Sequence, residues 1–448
     1  MILIEQGYLV LPTGVMQGTI AIENDTIVEV APHIEAKPGD VRIDAKGRYV
    51  LPGGIDTHTH FEMTNAFATT ADDFESGTKA AIMGGTTTII NFASPFEESL
   101  LEGLRRDKKR AEGRCSCDYK FHMELLDMNE QVAAEIPKVV EEGVASFKVY
   151  MAYSFSIDDR SIYEAIKAIA PTGALVAAHC ENGAMIAAKV QEMREEGDTE
   201  AKYHPLSKPD TIEAEAMHRF IRLGELADYP VHIVHVSSAA GLDVIEERRK
   251  NGAKVTCETC PQYLLLTDEL YNQPDGKGLR YILSPPLRKQ RDVEILQAAV
   301  ERGVFQTLCT DHCNYTLAQK AQGLGDFTKT PGGLPGVEER MILMWDMFVH
   351  SGRIDPVEYM KLTSETPAKL YGLYPKKGTL QGGSDADIVI LSPDVTECMT
   401  SDTTHSRSDY TPYEGMTVHG RIDDVFLRGH HVVQNRKLVE AYKGEFQQ

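Results

Sequence analysis

Two histidines separated by one residue, His58 and His60, have types and a spacing that suit metal chemistry. They follow an apolar approach that begins at Tyr49 and is predicted to run into a strand. Because side chains alternate faces along a strand, residues two apart project to the same side. Neutral imidazole is a favoured ligand of zinc and related transition metals. The pair alone is equally compatible with ordinary surface or core histidines, so its meaning depends on partners elsewhere in the chain.

Further polar residues stand at or near the ends of other apolar runs in the middle of the chain. They are Lys148 within Ser146–Tyr150, His179 after Ala174–Ala178, His235 after Val231–Val234, and Asp311 after Phe305–Thr310. In a parallel barrel the C-terminal ends of the strands converge on the face that hosts the active site. The six residues would then meet in one pocket. Four histidines and an aspartate exceed what one tetrahedral ion needs, so two ions fit this set better.

Lys148 needs a separate explanation, because an ammonium group beside two dications would be repelled. One possibility is an ordinary lysine that points elsewhere and forms a salt bridge. The other is a desolvated, neutral amine that adds carbon dioxide to become a carbamate, an anion able to bridge two metal ions. The residues alone leave both possibilities open.

The elements that would position these residues alternate between strand-like runs and longer amphipathic segments. Strands are predicted at 87–92, 145–150, 174–178, 231–234, 253–256 and 305–308, and helices at 158–170, 212–227 and 292–301. Repeated strand–helix units predict a parallel sheet. Their number and the length of the region favour an α/β fold of the (β/α)8 TIM-like barrel type over a doubly wound sheet. No glycine-rich nucleotide-binding loop is present to support the latter.

Both ends of the chain have a different sequence pattern, with short strand-like segments separated by turns. Residues 18–23 and 26–30 are strand-like and flank an Asn24-Asp25 turn, which predicts a hairpin. Residues 388–391, 424–427 and 431–433 are similar. We therefore predict a small antiparallel β-sandwich domain built from residues 1–50 and 376–448, with the barrel at 51–375.

Composition excludes several classes of protein. A net charge of −21 over 448 residues argues against nucleic acid or an anionic membrane surface as the main partner. The N-terminus has no signal-peptide pattern, and no stretch is apolar over the length of a membrane helix. Eight scattered cysteines suit a reducing compartment. We expect a cytoplasmic protein.

Short motifs that are weak singly and highly specific together extend along nearly the whole chain. They include Pro52-Gly-Gly-Ile-Asp-Thr-His-Thr-His60, Ser146-Phe-Lys-Val-Tyr-Met-Ala-Tyr153, His179-Cys-Glu-Asn-Gly183, Glu258-Thr-Cys-Pro-Gln-Tyr263, Ser284-Pro-Pro-Leu-Arg288, Thr310-Asp-His-Cys313 and Pro335-Gly-Val-Glu-Glu-Arg340. Through them the sequence resembles the hydantoinase/dihydropyrimidinase family of cyclic amidohydrolases. The resemblance implies an enzyme with two divalent metal ions per subunit, usually zinc, bridged by carboxylated Lys148. It assigns His58, His60 and Asp311 to one ion, and His179 and His235 to the other.

The same resemblance implies roles in catalysis and substrate binding. Asp311 would move a proton from the attacking hydroxide to the leaving ring nitrogen. Tyr153 would donate to the carbonyl oxygen as it becomes an oxyanion. Ser284 matches a substrate-binding position. The family often has asparagine where this chain has Gly332, so the contact there is made either by the backbone or by a side chain that this chain lacks.

The implied reaction opens a cyclic amide or imide ring to an N-carbamoyl amino acid. Dihydroorotase-like members place an arginine two residues after the histidine pair; Phe61 and Glu62 follow it here, which disfavours an acidic ring. The pattern is closer to hydantoinases, with a 5-substituted hydantoin opened D-selectively, and Met63, Phe67 and Phe155 suggest an apolar substituent. Dihydropyrimidinase and allantoinase are alternatives. A different class is the non-catalytic dihydropyrimidinase-like scaffold protein, but such proteins lack the metal ligands. The family also suggests a homotetramer.

Overall fold

The computed structural model describes all 448 residues of the chain. Its seventeen strands are β1 Ile2–Leu11, β2 Gly14–Glu23, β3 Thr26–Ala31, β4 Val41–Asp44, β5 Tyr49–Pro52, β6 Gly54–Thr59, β7 Thr86–Ala93, β8 Asp118–Glu124, β9 Ser146–Tyr150, β10 Leu175–His179, β11 Val231–Ile233, β12 Val255–Thr259, β13 Thr307–Leu308, β14 Ile388–Cys398, β15 Thr417–Leu427, β16 His430–Gln434 and β17 Lys437–Leu438.

Fourteen α-helices lie mostly between the central strands. They are α1 Phe74–Met83, α2 Leu100–Ala111, α3 Glu130–Glu141, α4 Asp159–Ile169, α5 Gly183–Glu196, α6 His204–Ser207, α7 Asp210–Leu226, α8 Ala239–Lys250, α9 Pro261–Leu265, α10 Gln290–Glu301, α11 Leu317–Lys320, α12 Arg340–Met344, α13 Pro356–Met360 and α14 Thr366–Leu370. Two π-helical segments, Trp345–His350 and Lys361–Glu365, continue α12 and α13. None of the helices combines the length and apolarity that crossing a membrane requires.

Strands β6 to β13 form one eight-stranded parallel sheet in chain order. Thr59, at the end of β6, makes a parallel bridge with His312, just beyond β13, and this contact brings the two edges of the sheet together. The predicted (β/α)8 barrel is therefore confirmed. The strands are buried on both faces, because side chains fill the interior and helices cover the outside.

The chain enters the barrel through a break that the sequence pattern did not predict. The run from Tyr49 to His60 is divided at Gly53: β5 pairs with β1 and β14 in the terminal sheet, whereas β6 starts the barrel. A Cβ atom on Gly53 would lie 2.0 Å from Thr87 Oγ1. Only glycine allows the backbone to pass so close to the neighbouring strand.

Strand β8 was also not predicted, because polar residues alternate through its sequence. In the barrel these residues are buried and paired. Lys120 Nζ donates to the backbone oxygen of Gln447 (3.2 Å), and His122 Nε2 lies 2.8 Å from the backbone oxygen of Thr57. The tertiary contacts that satisfy these polar groups come from distant segments, so a local pattern does not reveal the strand.

Strands from both ends of the chain share a second, nine-stranded sheet. The hairpin of β2 and β3 is present as predicted, with Asn24 in the left-handed region at its turn (φ 53°). The sheet is not purely antiparallel, because β1 pairs in parallel with both β4 and β5. The β domain built from both termini is confirmed, and its boundaries at residues 50 and 376 stay a prediction.

Candidate metal centre and substrate pocket

A cavity of about 1040 Å³ lies at the C-terminal ends of the barrel strands. All nine residues singled out in the sequence line it: His58, His60, Lys148, Tyr153, His179, His235, Ser284, Asp311 and Gly332. They come from seven separate segments of the chain. Lys148 lies in the middle of β9, and the others lie near or beyond a strand end or on a loop that borders this rim, so the barrel brings them together.

The Asp311 group, formed by His58, His60 and Asp311, brings three potential metal-ligand atoms together. Asp311 Oδ1 lies 3.2 Å from His58 Nε2 and 3.1 Å from His60 Nε2. Burial would raise the pKa of Asp311, but the positive charge that His58 carries at low pH and the hydrogen bond with His60 outweigh burial and hold the pKa well below its usual range. The carboxylate is therefore ionised and faces two imidazole nitrogens.

The second ring nitrogen of His58, Nδ1, contacts a buried carboxylate from another barrel strand. Glu258, on β12, places Oε1 2.6 Å from His58 Nδ1. Its other oxygen accepts from Thr57 Oγ1 at 3.1 Å and from Thr307 Oγ1 at 3.3 Å. Burial, with a further contribution from Lys148, lowers the pKa of His58 to about 4, so the ring is neutral. With its proton on Nδ1 toward Glu258, the Nε2 lone pair faces Asp311.

The His235 pair, formed by His179 and His235, lines the same cavity. His179 Nδ1 and His235 Nε2 are 2.9 Å apart, and the rings of His58 and His235 are 5.5 Å apart between centroids. His179 Nε2 lies 2.8 Å from Glu181 Oε2. Burial lowers the pKa of both His179 and His235. The pair therefore presents two neutral imidazoles whose facing nitrogens could bind one ion.

Lys148 lies inside the barrel with 1% of its surface exposed. Its Nζ is 5.0 Å from the ring centroid of Phe92 and 5.4 Å from that of Tyr150, and it forms no ion pair. Burial lowers its pKa. The salt-bridging alternative considered for Lys148 is thus not the arrangement found here.

These donors fit divalent transition metal ions. Two imidazole nitrogens and one carboxylate oxygen of the Asp311 group lie within 4.8 Å of one another, which brings three ligand atoms to one point. Neutral imidazoles and an ionised carboxylate are the protonation states in which these side chains bind metal. The His235 pair offers two more nitrogens, and Lys148 lines the same cavity.

Tyr153 and Ser284 border the cavity outside the histidines. Tyr153 has a left-handed backbone (φ 75°), and its ring centroid is 4.9 Å from that of His179. Shielding by the cavity walls and the carboxylate of Glu181 raise the pKa of Tyr153 well above its usual value, so its phenol is a hydrogen-bond donor. Ser284 Oγ accepts a hydrogen bond from Lys208 Nζ at 2.8 Å.

The backbone around Ser284 and Gly332 is fastened by Lys320, which sequence reasoning missed. Its Nζ donates to the carbonyl oxygens of Ile282, Pro331 and Gly333 at 2.7, 2.8 and 2.7 Å. An ammonium group has three N–H donors, and all three are used. Nothing local in the sequence signals this contact, because the acceptors are backbone atoms of two other loops.

Two further buried carboxylates were missed as well. Glu258 and Glu181 both occur in motifs named above, but no reasoning singled them out. A signal was available: a histidine that binds metal commonly donates its other N–H to a carboxylate, so acidic residues near predicted ligands are candidates. Glu181, two residues after His179, was detectable on this basis, whereas Glu258 lies 200 residues from His58.

Apolar side chains surround the mouth of the cavity. Phe67 and Phe155 are 45% and 41% exposed, and Met63 and Phe96 also line the opening. Phe155 packs against the ring of Tyr153, with centroids 5.4 Å apart. A substituent that projects from a ring bound at the rim would meet this apolar surface.

Comparisons with known proteins agree with this geometry. Residues 49–432 match the model of the Amidohydrolase family. The chain is 41% identical to the D-hydantoinase of Geobacillus stearothermophilus, over 98% of this chain and 94% of that protein. It is 40% identical to the D-phenylhydantoinase of Escherichia coli (strain SE11), over 96% and 93%. It is also similar to the solved structure of dihydropyrimidinase from Brevibacillus agri NCHU1002, with a TM-score of 0.97, 38% identity, and coverage of 99% and 98%.

Replacement of Glu258 tests the role of the carboxylate behind His58. In Glu258→Gln the group that fixes the His58 proton on Nδ1 is weakened, so we expect metal affinity to fall about 10- to 100-fold. Zinc affinity is measured by competition with a chromogenic chelator. Glu247→Gln, at an exposed helix position, is the control. Unchanged affinity in Glu258→Gln would contradict the assigned role.

Proposed function

The chain belongs to the amidohydrolase family, and on that premise we propose that it opens the ring of a 5-substituted hydantoin, D-selectively, to an N-carbamoyl amino acid. It is an enzyme of the cyclic amidohydrolase type. The observation that carries the proposal is the convergence of the Asp311 group, the His235 pair and Lys148 in one cavity. Relatives named for D-hydantoinase and D-phenylhydantoinase activity support the choice of ring.

The Asp311 group would hold one divalent ion and the His235 pair a second, with carboxylated Lys148 shared between them. Nitrogen and oxygen ligands of these kinds suit zinc. When bound, the two ions supply a lowered pKa for water and polarise the target carbonyl. Retention of all these side chains argues against the non-catalytic scaffold class.

Carboxylation of Lys148 would follow from its environment. A neutral amine nitrogen attacks carbon dioxide, a nitrogen–carbon bond forms, and one proton leaves the nitrogen to give a carbamate anion. Burial without an ion pair disfavours the ammonium form and so favours the nucleophilic amine. The carbamate would replace a cation that two metal ions repel by an anion that they attract.

Asp311 would carry the proton during ring opening. As water oxygen bonds to the ring carbonyl carbon, the Asp311 carboxylate accepts the proton that the water loses. When the carbon–nitrogen bond breaks, the same carboxyl group delivers this proton to the ring nitrogen, which leaves as part of the carbamoyl group. The position of Asp311 in the rim of the cavity, between two imidazoles, suits this transfer.

Tyr153 would stabilise the charge that develops on the carbonyl oxygen. Its phenol stays protonated in the cavity, and its left-handed backbone directs the residue from the loop after β9 toward His179. A donor that is already in place contributes most where negative charge appears only in the transition state. Ser284 and the backbone at Gly332 would bind the remainder of the ring.

A dihydropyrimidine ring is the second candidate substrate. The TM-score of 0.97 to a dihydropyrimidinase supports it. The apolar mouth formed by Met63, Phe67, Phe96 and Phe155 favours the hydantoin, because a 5-substituent would find a matching surface there. The homotetramer, the zinc identity and the cytoplasmic location expected from the sequence stay predictions.

A panel of rings tests the proposed substrate. Hydantoin, D- and L-5-phenylhydantoin, dihydrouracil, allantoin and dihydroorotate are supplied to the zinc-loaded enzyme, and the carbamoyl product is measured. We expect the highest kcat/KM for D-5-phenylhydantoin, because its substituent is apolar, and the lowest for anionic dihydroorotate. A preference for dihydrouracil would favour the second candidate, and no ring opening at all would overturn the function.

Removal of Lys148 tests its bridging role. In Lys148→Ala we expect bound zinc, measured by mass spectrometry of the metal, to fall below one ion per chain from about two. We expect kcat/KM to fall by more than about 100-fold, beyond the range seen when a metal ligand loses only its outer partner. Added acetate or propionate should partly restore both. Lys167→Ala, at an exposed site on α4, is the control, and full activity of Lys148→Ala would refute the role.

Gly332→Asn separates a backbone contact from a missing side-chain contact. A Cβ atom on Gly332 would have no neighbour closer than 3.8 Å, so asparagine fits. If the backbone binds the ring, kcat/KM should stay within about threefold, a change of about 0.6 kcal/mol. A rise of tenfold or more would show that the side chain was needed. In contrast, Gly333→Ala should lower the unfolding temperature, because its Cβ atom would lie 2.2 Å from Cys313 O at φ 142°.

A further inference from the structure

Lys208 is a buried cation in the cavity wall that the proposed chemistry does not use. It lies just before α7, is 8% exposed, and lines the same cavity as the predicted site residues. Its Nζ donates to Ser284 Oγ at 2.8 Å and to Glu181 Oε2 at 2.8 Å. The nitrogen is also 5.4 Å from the ring centroid of Tyr153. Lys208 thus contacts the serine expected to bind substrate.

The contacts of Lys208 continue to a predicted metal ligand. Glu181 Oε2, which accepts from Lys208, lies 2.8 Å from His179 Nε2 as well. A chain of three hydrogen bonds therefore runs from Ser284 through Lys208 and Glu181 to His179. Glu181 and His179 are 0% and 2% exposed, so the contacts at the inner end of the chain are shielded from solvent and strengthened, whereas Ser284 is half-buried.

The ammonium group determines which way the Ser284 hydroxyl can act. An ammonium nitrogen has three donors and no acceptor, so Ser284 Oγ accepts from Lys208. The hydroxyl hydrogen of Ser284 does not point at Lys208 and can donate to another acceptor, either the neighbouring phenol oxygen of Tyr153 or a bound ring. A donor at this position matches a carbonyl oxygen of a bound ring.

We propose that Lys208 is a positioning residue that fixes the Ser284 hydroxyl as a hydrogen-bond donor, so that the pocket selects rings with a second carbonyl beside the ring nitrogen. This class comprises cyclic imides and ureides, and it excludes simple lactams. The inference rests on the proposed function and deepens it, because it names the feature of the ring that is recognised. Loss of the ammonium group would leave the hydroxyl free to rotate, and the preference for the second carbonyl would disappear.

A double-mutant cycle tests whether Lys208 acts through Ser284. We expect the KM for a 5-substituted hydantoin to rise about tenfold in Lys208→Met and in Ser284→Ala. Each variant would remove the same hydrogen bond, from the Ser284 hydroxyl to the ring, and a loss of this size is typical of one hydrogen bond. In the double variant KM should rise no further, and kcat should stay within about threefold throughout. Lys208→Arg, which keeps the donors, should restore KM. Lys202→Met, at an exposed site, is the control.

Competition by two small rings against the hydantoin substrate supplies a readout that a structural role would not change. For succinimide, a ring of the selected class, the inhibition constant is its KM as a competing substrate. Succinimide has a carbonyl on each side of its nitrogen, and 2-pyrrolidinone has one. Wild type should bind succinimide at least about tenfold more tightly, and the ratio of inhibition constants should approach one in Lys208→Met. If Lys208→Met does not fold because Glu181 loses its counter-ion, the paired variant Glu181→Gln/Lys208→Met removes both charges and should show the same ratio.

Three results would overturn the inference. They are an unchanged KM in Lys208→Met, KM increases that multiply in the double variant, and an unchanged inhibitor ratio in the variants that lack the ammonium group. Failure of the proposed function is distinguishable, because the wild-type enzyme would then open none of the rings. Zinc content measured in each variant separates an effect on Ser284 from one transmitted to His179.

Discussion

The site depends on buried carboxylates that hold imidazole rings in place at the barrel rim. Glu258 lies 2.6 Å from His58 Nδ1, and Glu181 lies 2.8 Å from His179 Nε2. Burial makes these rings neutral, and each carboxylate fixes which nitrogen carries the proton. The remaining nitrogen of each ring is then a lone pair directed into the cavity. The two carboxylates thus define the ligand nitrogens of His58 and His179, whereas the Nδ1 atoms of His60 and His235 have no hydrogen-bond partner.

Backbone geometry beyond the strand ends is the second requirement. Tyr153, His235 and Asp311 all have left-handed backbones, with φ of 75°, 38° and 53°, although none is glycine. Such conformations cost energy and persist when surrounding contacts enforce them. Next to Asp311, the His312 ring accepts from the backbone nitrogens of Gly336 and Val337 at 3.1 and 3.2 Å, and Nε2 lies 3.1 Å from Asp72. Both ring nitrogens of His312 are therefore engaged, and these contacts hold the turn that orients Asp311.

The sequence was informative wherever a functional side chain followed an apolar run. His179 and His235 stand out because the runs before them are buried on both faces and contain few other polar residues. Strand β8 escaped detection because its polar residues are satisfied by distant partners, and Lys208 escaped because its partner Ser284 is 76 residues away. The hydrogen bonds of Lys320 go to backbone oxygens, which every residue type has, so the sequence gives no sign of them. Periodicity and motifs therefore located residues at strand ends, whereas contacts between loops required coordinates.

The proposed activity depends on two metal ions held by the Asp311 group and the His235 pair, with a carboxylated Lys148 shared between them. Anomalous diffraction at the zinc edge, from crystals of protein purified without chelators, tests this most directly. We predict two anomalous peaks, one beside each group, and electron density for a carboxylate on Lys148 Nζ that reaches both. An empty cavity in active enzyme, or an unmodified Lys148 side chain beside a single ion, would contradict the account.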